Sequence, residues 1–119
     1  MNIKVIATAS RGRGIFATES CLQGSILDKA PVIEFGERVS EIFIEDDDGE
    51  KVLAWRRDAE GEVVTTAVAC SVMMLANHDD DSNAIVVRDF ENGIATLQAS
   101  RDIEVGEEIT ISYSVKKTF

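Results

Sequence analysis

The chain has 119 residues, 45% of them hydrophobic and 29% charged, which suits one globular domain with one modest core. Twelve basic residues against twenty-two acidic ones leave a net charge of −10. That field repels nucleic-acid phosphates and anionic lipid and attracts basic peptide segments, so a stand-alone DNA or RNA binder is excluded.

The two cysteines, Cys21 and Cys70, are too few for a disulfide framework or a zinc ligand set, and both read as buried thiols of a reducing compartment. The opening Met1-Asn2-Ile3-Lys4-Val5-Ile6 has no basic stretch followed by a long apolar run, so no signal peptide is expected. No window reaches the ~20 apolar residues of a membrane span. These features predict a soluble, intracellular protein without membrane contact. His78 is the one imidazole, which excludes zinc-protease patterns that need two, and no Gly-x-Ser-x-Gly elbow accompanies it.

In chain order, Met1 to Ala7 reads as a first strand. Ser10-Arg11-Gly12-Arg13-Gly14 follows as a glycine-punctuated turn, and Ile15-Phe16-Ala17 as a short strand. Ser25 to Phe35 is apolar, and its single proline, Pro31, predicts an edge or bulge. Ile42-Phe43-Ile44 and Val52-Leu53-Ala54-Trp55 read as strands around an acidic hairpin tip, Glu45 to Glu50. A second hairpin turns at Asp58-Ala59-Glu60-Gly61 and returns through Val63-Val64-Thr65. Ala67 to Ala76 is rich in alanine, methionine and leucine and predicts a short helix. Asn77 to Asn83 is a loop of turn formers. Ile85-Val86-Val87 and Ile94-Ala95-Thr96-Leu97 flank Asn92-Gly93, the strongest hairpin signal in the chain. Ile109, Ile111 and Tyr113 alternate with Thr110 and Ser112, as in a strand with one buried face. The fold class expected is mostly β with one short helix, in a single domain over residues 1–119.

Neither acidic cluster predicts a metal site. With Gly49 at the sixth position of a calcium loop, Asp46 and Asp48 fit the third and fifth positions, but Ile44 and Trp55 fall at the first and twelfth, where carboxylates are required. Asp79-Asp80-Asp81 reads as a solvated surface loop, because three consecutive carboxylates in extended chain do not converge on one point.

Three segments in order resemble the SET domain of protein-lysine methyltransferases. Gly12-Arg13-Gly14-Ile15-Phe16-Ala17 is similar to the family's Gly-x-Gly-Val/Ile-Phe-Ala opening. Asn77-His78, with Asn83 five residues later, is similar to its Asn-His-Ser-Cys-x-Pro-Asn. Gly106-Glu107-Glu108-Ile109-Thr110-Ile111-Ser112-Tyr113, after Arg101-Asp102-Ile103, is similar to its closing Gly-Glu-Glu-Leu-Thr-x-Asp-Tyr strand. A Gly-x-Gly alone is weak, whereas the three together span residues 12 to 113.

The resemblance implies a β-clip fold of small curved sheets, with a C-terminal pseudoknot where the Asn-His segment and the closing strand cross. It implies S-adenosylmethionine as methyl donor and a lysine-containing protein as acceptor. Gly12, Arg13 and Gly14 would meet the methionine part of the cofactor. Asn77 and His78 would pair with its adenine edge. Tyr113, the one tyrosine in the chain, would contact the cofactor and act as the catalytic phenol that orients the lysine amine. The acidic surface suits a basic, histone-like substrate.

This chain departs from the pattern at Asp79, Asp80 and Ser82, which stand at the family's Ser, Cys and Pro positions. It also lacks the second channel tyrosine of many relatives, leaving Trp55 or Phe43 as the aromatic wall. These departures keep a second reading open, a SET-like binding or assembly module with weak or no transferase activity. With six residues after Tyr113 and no cysteine-rich tail, a homodimer in which another chain completes the site is also open.

Overall fold

The computed structural model describes residues 2–8, 12–45 and 52–112, with the side chains of residues 43–45 left aside. The described elements are β1 (Ile3–Ala7), β2 (Arg13–Ala17), β3 (Ile26–Glu34), α1 (Glu37–Glu45), β4 (Leu53–Arg57), β5 (Val63–Ala69), a 3-10 turn (Val72–Leu75), β6 (Asn77–His78), β7 (Ala84–Asp89), β8 (Ile94–Ala99) and β9 (Glu108–Ile111). They form a four-stranded sheet in the order β1-β2-β9-β6 and a five-stranded sheet in the order β4-β5-β3-β8-β7. The mostly-β expectation holds.

The strands form where side chains alternate between core and surface. In β8, Ala95, Leu97 and Ala99 are buried, while Ile94, Thr96 and Gln98 are half-exposed, the period of two of a pleated strand. Of the three predicted β-hairpins, those turning at Asp58 to Gly61 and at Asn92-Gly93 are present. Between β4 and β5, the Asp58 carboxylate accepts the main-chain N–H groups of Glu60 and Glu62, each at 3.0 Å. Between β7 and β8, the Asp89 carboxylate accepts from the Asn92 main chain at 3.1 Å and its amide at 2.9 Å, and Gly93 takes φ +65°. These asparagine donors hold the Asp89 carboxyl below the usual carboxylate range. The core joins both sheets through Ile15, Leu27, Leu53, Trp55, Met73, Leu97, Ile103 and Ile109, all buried.

The structure corrects four expectations. The α-helix is Glu37–Glu45, over the stretch whose β-branched Ile42-Phe43-Ile44 suggests a strand, so no hairpin joins it to β4. Residues 46–51 of the acidic tip lie outside the described residues. A buried polar knot fixes the helix against β5. Ser40 has no solvent exposure, its Oγ accepts the Thr66 main-chain N–H at 2.9 Å and the Thr66 hydroxyl at 3.1 Å, and its main-chain N–H donates to Gly36 at 3.0 Å. Tertiary bonding has overruled local propensity. Ser40→Ala should therefore cost about 1–3 kcal/mol by stranding the Thr66 N–H, read as a fall in thermal midpoint. An unchanged midpoint would show that the knot carries no stability.

The predicted helix over Ala67 to Ala76 is instead the end of β5 followed by a single 3-10 turn. Ala67 and Ala69 are buried in sheet pairing with β3. The turn is held by the Asp28 carboxylate, which accepts from Ser71 Oγ at 2.5 Å and Met73 N–H at 3.2 Å. Small alanines thus serve close packing in a sheet, not helix propensity. Pro31 lies inside the five-stranded sheet and not at its edge. β3 changes partners there, pairing β8 through Pro31 and β5 from Val32 onward. The Pro31 carbonyl accepts from Cys70 N–H, just past the end of β5, so the missing proline donor faces the end of that strand. Finally, both thiols are free and Cys21 is buried, but Cys70 is exposed.

The five-stranded sheet curls until its two edge strands face each other. Arg88 of β7 donates from Nε to the Ala54 carbonyl of β4 at 2.6 Å. Trp55 of β4 and Phe90, just after β7, meet edge to face with centroids 5.4 Å apart at 73°.

Candidate functional site

The N-terminal, middle and C-terminal motifs converge on the four-stranded sheet. β9 lies between β2 and β6, antiparallel to the first (Ile15↔Ile109) and parallel to the second (Asn77↔Thr110, His78↔Ile111). The parallel pair extends one residue further, the Asp79 N–H donating to the Ile111 carbonyl at 3.0 Å.

The centre of the crossing is Gly14. A Cβ at this buried glycine would stand 2.6 Å from Glu108 Oε2 and 2.9 Å from Asn77 Nδ2, so the bare backbone leaves these two side-chain ends their place at the crossing. Asn77 Nδ2 donates to Glu108 Oε2 at 2.8 Å and to the Arg13 carbonyl at 3.3 Å. Gly12 serves a different need, with φ +67° and open space around it. Its carbonyl accepts from the Thr8 N–H at 2.5 Å and the Thr8 hydroxyl at 2.6 Å. The structure thus brings Gly12, Arg13, Gly14 and Asn77 into one cluster, with His78 next along β6. Tyr113, expected as the catalytic residue, lies outside the described residues, immediately beyond Ser112.

The aspartates that depart from the family pattern are used locally. Asp80 Oδ1 lies 2.9 Å from His78 Nε2, and the Asp79 carboxylate accepts the Asp81 N–H at 3.0 Å. The Asp79 to Asp81 loop is exposed, as expected. Among the described residues, no cluster of His, Cys, Asp or Glu could hold a metal ion.

Two residues quoted within motifs, but given no role from sequence, prove central. One is Glu108, the acidic group against Gly14 and Asn77. The other is Asn83, 2% exposed, whose Nδ2 donates to the Glu108 carbonyl at 2.7 Å while its Oδ1 accepts the Thr110 N–H at 2.9 Å. Its side chain pairs with β9 as another strand would. The signal available was an amide, donor and acceptor in one group, ending a loop that must return to the core.

Two cavities lie on the β4–β7 seam, away from Gly14. One, of about 230 Å³, is walled by Leu53 and Ala54 of β4, Val86 and Arg88 of β7, and Ile111 and Ser112 at the end of β9. The other, of about 350 Å³, is lined by Trp55, Arg57, Arg88 and Phe90. Trp55, expected as a channel wall, is buried and borders only the second. No helix among the described residues is long and apolar enough to cross a membrane.

No curated protein matches the sequence. Among solved structures, the chain is similar to a Plasmodium falciparum protein described as a candidate histone methyltransferase, at TM-score 0.70 and 18% identity, over 98% of this chain and 99% of that one. At that identity the likeness speaks for the fold. The SET domain profile matches residues 12–114, nearly the whole chain and all three motifs. Profile, crossing and topology agree, and the chain belongs to the SET domain family.

Proposed function

We propose that the chain is an S-adenosylmethionine-dependent protein-lysine N-methyltransferase acting on a basic protein substrate. The observation that carries this reading is the parallel pairing of β6 with β9, which with the β2–β9 pairing brings Gly14, Asn77 and Glu108 together at the start of β9, five residues before Tyr113 in the sequence.

The residues at the crossing fit the cofactor. The Arg13 carbonyl, the Asn77 side-chain oxygen and the Glu108 carboxylate supply acceptors for the ammonium of the cofactor's zwitterionic amino-acid end, and the exposed main chain of Gly12 leaves room beside them. When bound, S-adenosylmethionine supplies a methyl group already activated by its positive sulfur, so the protein's part is alignment. The acceptor lysine must shed its proton before it attacks. The 230 Å³ cavity bordered by Ser112 offers a place for that side chain, where the cationic Arg88 wall disfavours an ammonium. The Tyr113 hydroxyl would then orient the neutral amine. The net charge of −10 favours a lysine-rich partner.

Calorimetric titration with S-adenosylhomocysteine tests the reading without knowledge of the substrate. The wild-type protein should bind it. Gly14→Val should abolish binding while the protein stays folded, because the new side chain must push aside Glu108 and Asn77, both of which can turn at their outer bonds. A folded wild-type protein that gives no heat at millimolar ligand would leave the SET-like binding module as the surviving reading.

A further inference from the structure

In so acidic a chain, the β4–β7 seam gathers positive charge. Arg88 is half-buried there, its guanidinium donating to the main-chain carbonyls of Ala54 at 2.6 Å and Val86 at 3.0 Å. Among the described residues, no carboxylate forms an ion pair with it. The acids that follow Arg57 and Arg88 in sequence are bonded to other groups, Asp58 within its own turn and Asp89 with Asn92. Burial, and then the like charge of Arg57, hold the Arg88 guanidinium below the usual arginine range. Two neutral carbonyls engage its Nε and Nη1 but do not balance its charge. A cation withdrawn from water without a counter-charge is costly, and proteins ordinarily pair it.

Beside this cation lies the 350 Å³ cavity, lined by Arg57, Arg88, Trp55 and Phe90. The aromatic wall is fixed by the edge-to-face contact of the two rings and by the Arg56 guanidinium, 5.1 Å from the Phe90 centroid. Two guanidinium groups border this space, Arg57 also donating from Nη1 to the Gly61 carbonyl at 2.7 Å, and guanidinium donors suit anionic oxygens.

We propose that the cavity between Arg57, Arg88, Trp55 and Phe90 is an oxyanion-binding site, taking a carboxylate or phosphate group. The bound anion supplies Arg88 with the counter-charge that the described residues do not. The site is separate from the Gly14 crossing and stands whether or not the chain transfers methyl groups.

Trp55 is the only tryptophan in the chain and forms one wall of the cavity, so its fluorescence reports occupancy. The folded protein is titrated at constant ionic strength with inorganic phosphate, with succinate, and with chloride as control. A saturable change is expected with phosphate or succinate and none with chloride, and whichever anion binds identifies the source. Arg88→Met and Arg57→Gln should each weaken binding about tenfold or more, the effect of losing one charged hydrogen-bond partner. Arg57 is exposed, so its variant remains informative if Arg88→Met fails to fold. The proposal is overturned if neither anion gives a saturable signal, if chloride gives the same one, or if Arg57→Gln binds as tightly as wild type.

Discussion

Asn83→Ala should lower the thermal midpoint by roughly 10 °C or more, the largest stability effect expected of any single polar substitution at the crossing. The amide makes two hydrogen bonds to β9, at 2.7 Å and 2.9 Å, from a position that solvent does not reach. Truncation strands the Glu108 carbonyl and the Thr110 N–H together. At about 1–3 kcal/mol for each group left unsatisfied, the loss is a large share of the 5–15 kcal/mol that holds a domain of this size, and each kcal/mol moves the midpoint by about 4–8 °C in a small domain. Asn83→Asp separates hydrogen bonding from shape. It keeps the acceptor for Thr110 but turns an oxygen toward the Glu108 carbonyl, so it should also destabilise. Thermal denaturation of both variants decides the matter. A midpoint within 2–3 °C of wild type for Asn83→Ala, about half a kcal/mol on the same scale, would mean that water replaces the amide and that the crossing is held by strand pairing alone.

Tyr113→Phe should slow methyl transfer on the order of 10²-fold, comparable to removing one preorganised donor at a developing charge. The expectation follows from the proposed activity and from the position of Tyr113 directly after Ser112, which borders the cavity at the end of β9. With no other tyrosine in the chain, no second phenol can take over the role. The ring remains, so S-adenosylhomocysteine should bind the variant as it binds wild type. A single-turnover assay with radiolabelled cofactor on basic peptides, run on both proteins, separates the two effects. Equal rates would make Tyr113 a packing residue, and weakened binding without a rate effect would make it part of the cofactor wall.

The strands whose pattern is set by neighbours in sequence were legible. Asn92-Gly93 and Asp58 to Gly61 carry their turns in their own side chains, and β9 reads correctly as a strand, although Thr110 is buried along with Ile109 and Ile111. Misreadings fall where a distant partner decides. Nothing local to Glu37–Glu45 announces that Ser40 will meet Thr66, and nothing in an alanine-rich run says whether small side chains serve a helix or a crowded sheet. Pro31 misleads for a similar reason, since a strand can change partners in mid-course and place a missing donor where none is required. At the candidate site, the motifs marked Gly12, Gly14, Asn77 and His78 as residues that belong together. Their reason for meeting was hidden, because it rests on Glu108, an ordinary acidic residue until β9 is threaded between β2 and β6. The seam between β4 and β7 was invisible altogether. It exists only once the sheet has curled far enough to bring its two ends within reach of one arginine.

That threading also bears on how the protein is made. β1, β2 and β6 leave the ribosome well before β9, and β9 is the strand that joins β2 to β6. The five-stranded sheet can assemble once Ala99 has emerged, but among the described elements β6 has no strand paired with it until residues 108–111 arrive, and closure of the crossing waits for them. Nascent chains halted before Glu108 would show a protected five-stranded sheet and an unprotected Asn77-His78, a late step whose partners are far apart in sequence and which is therefore slow.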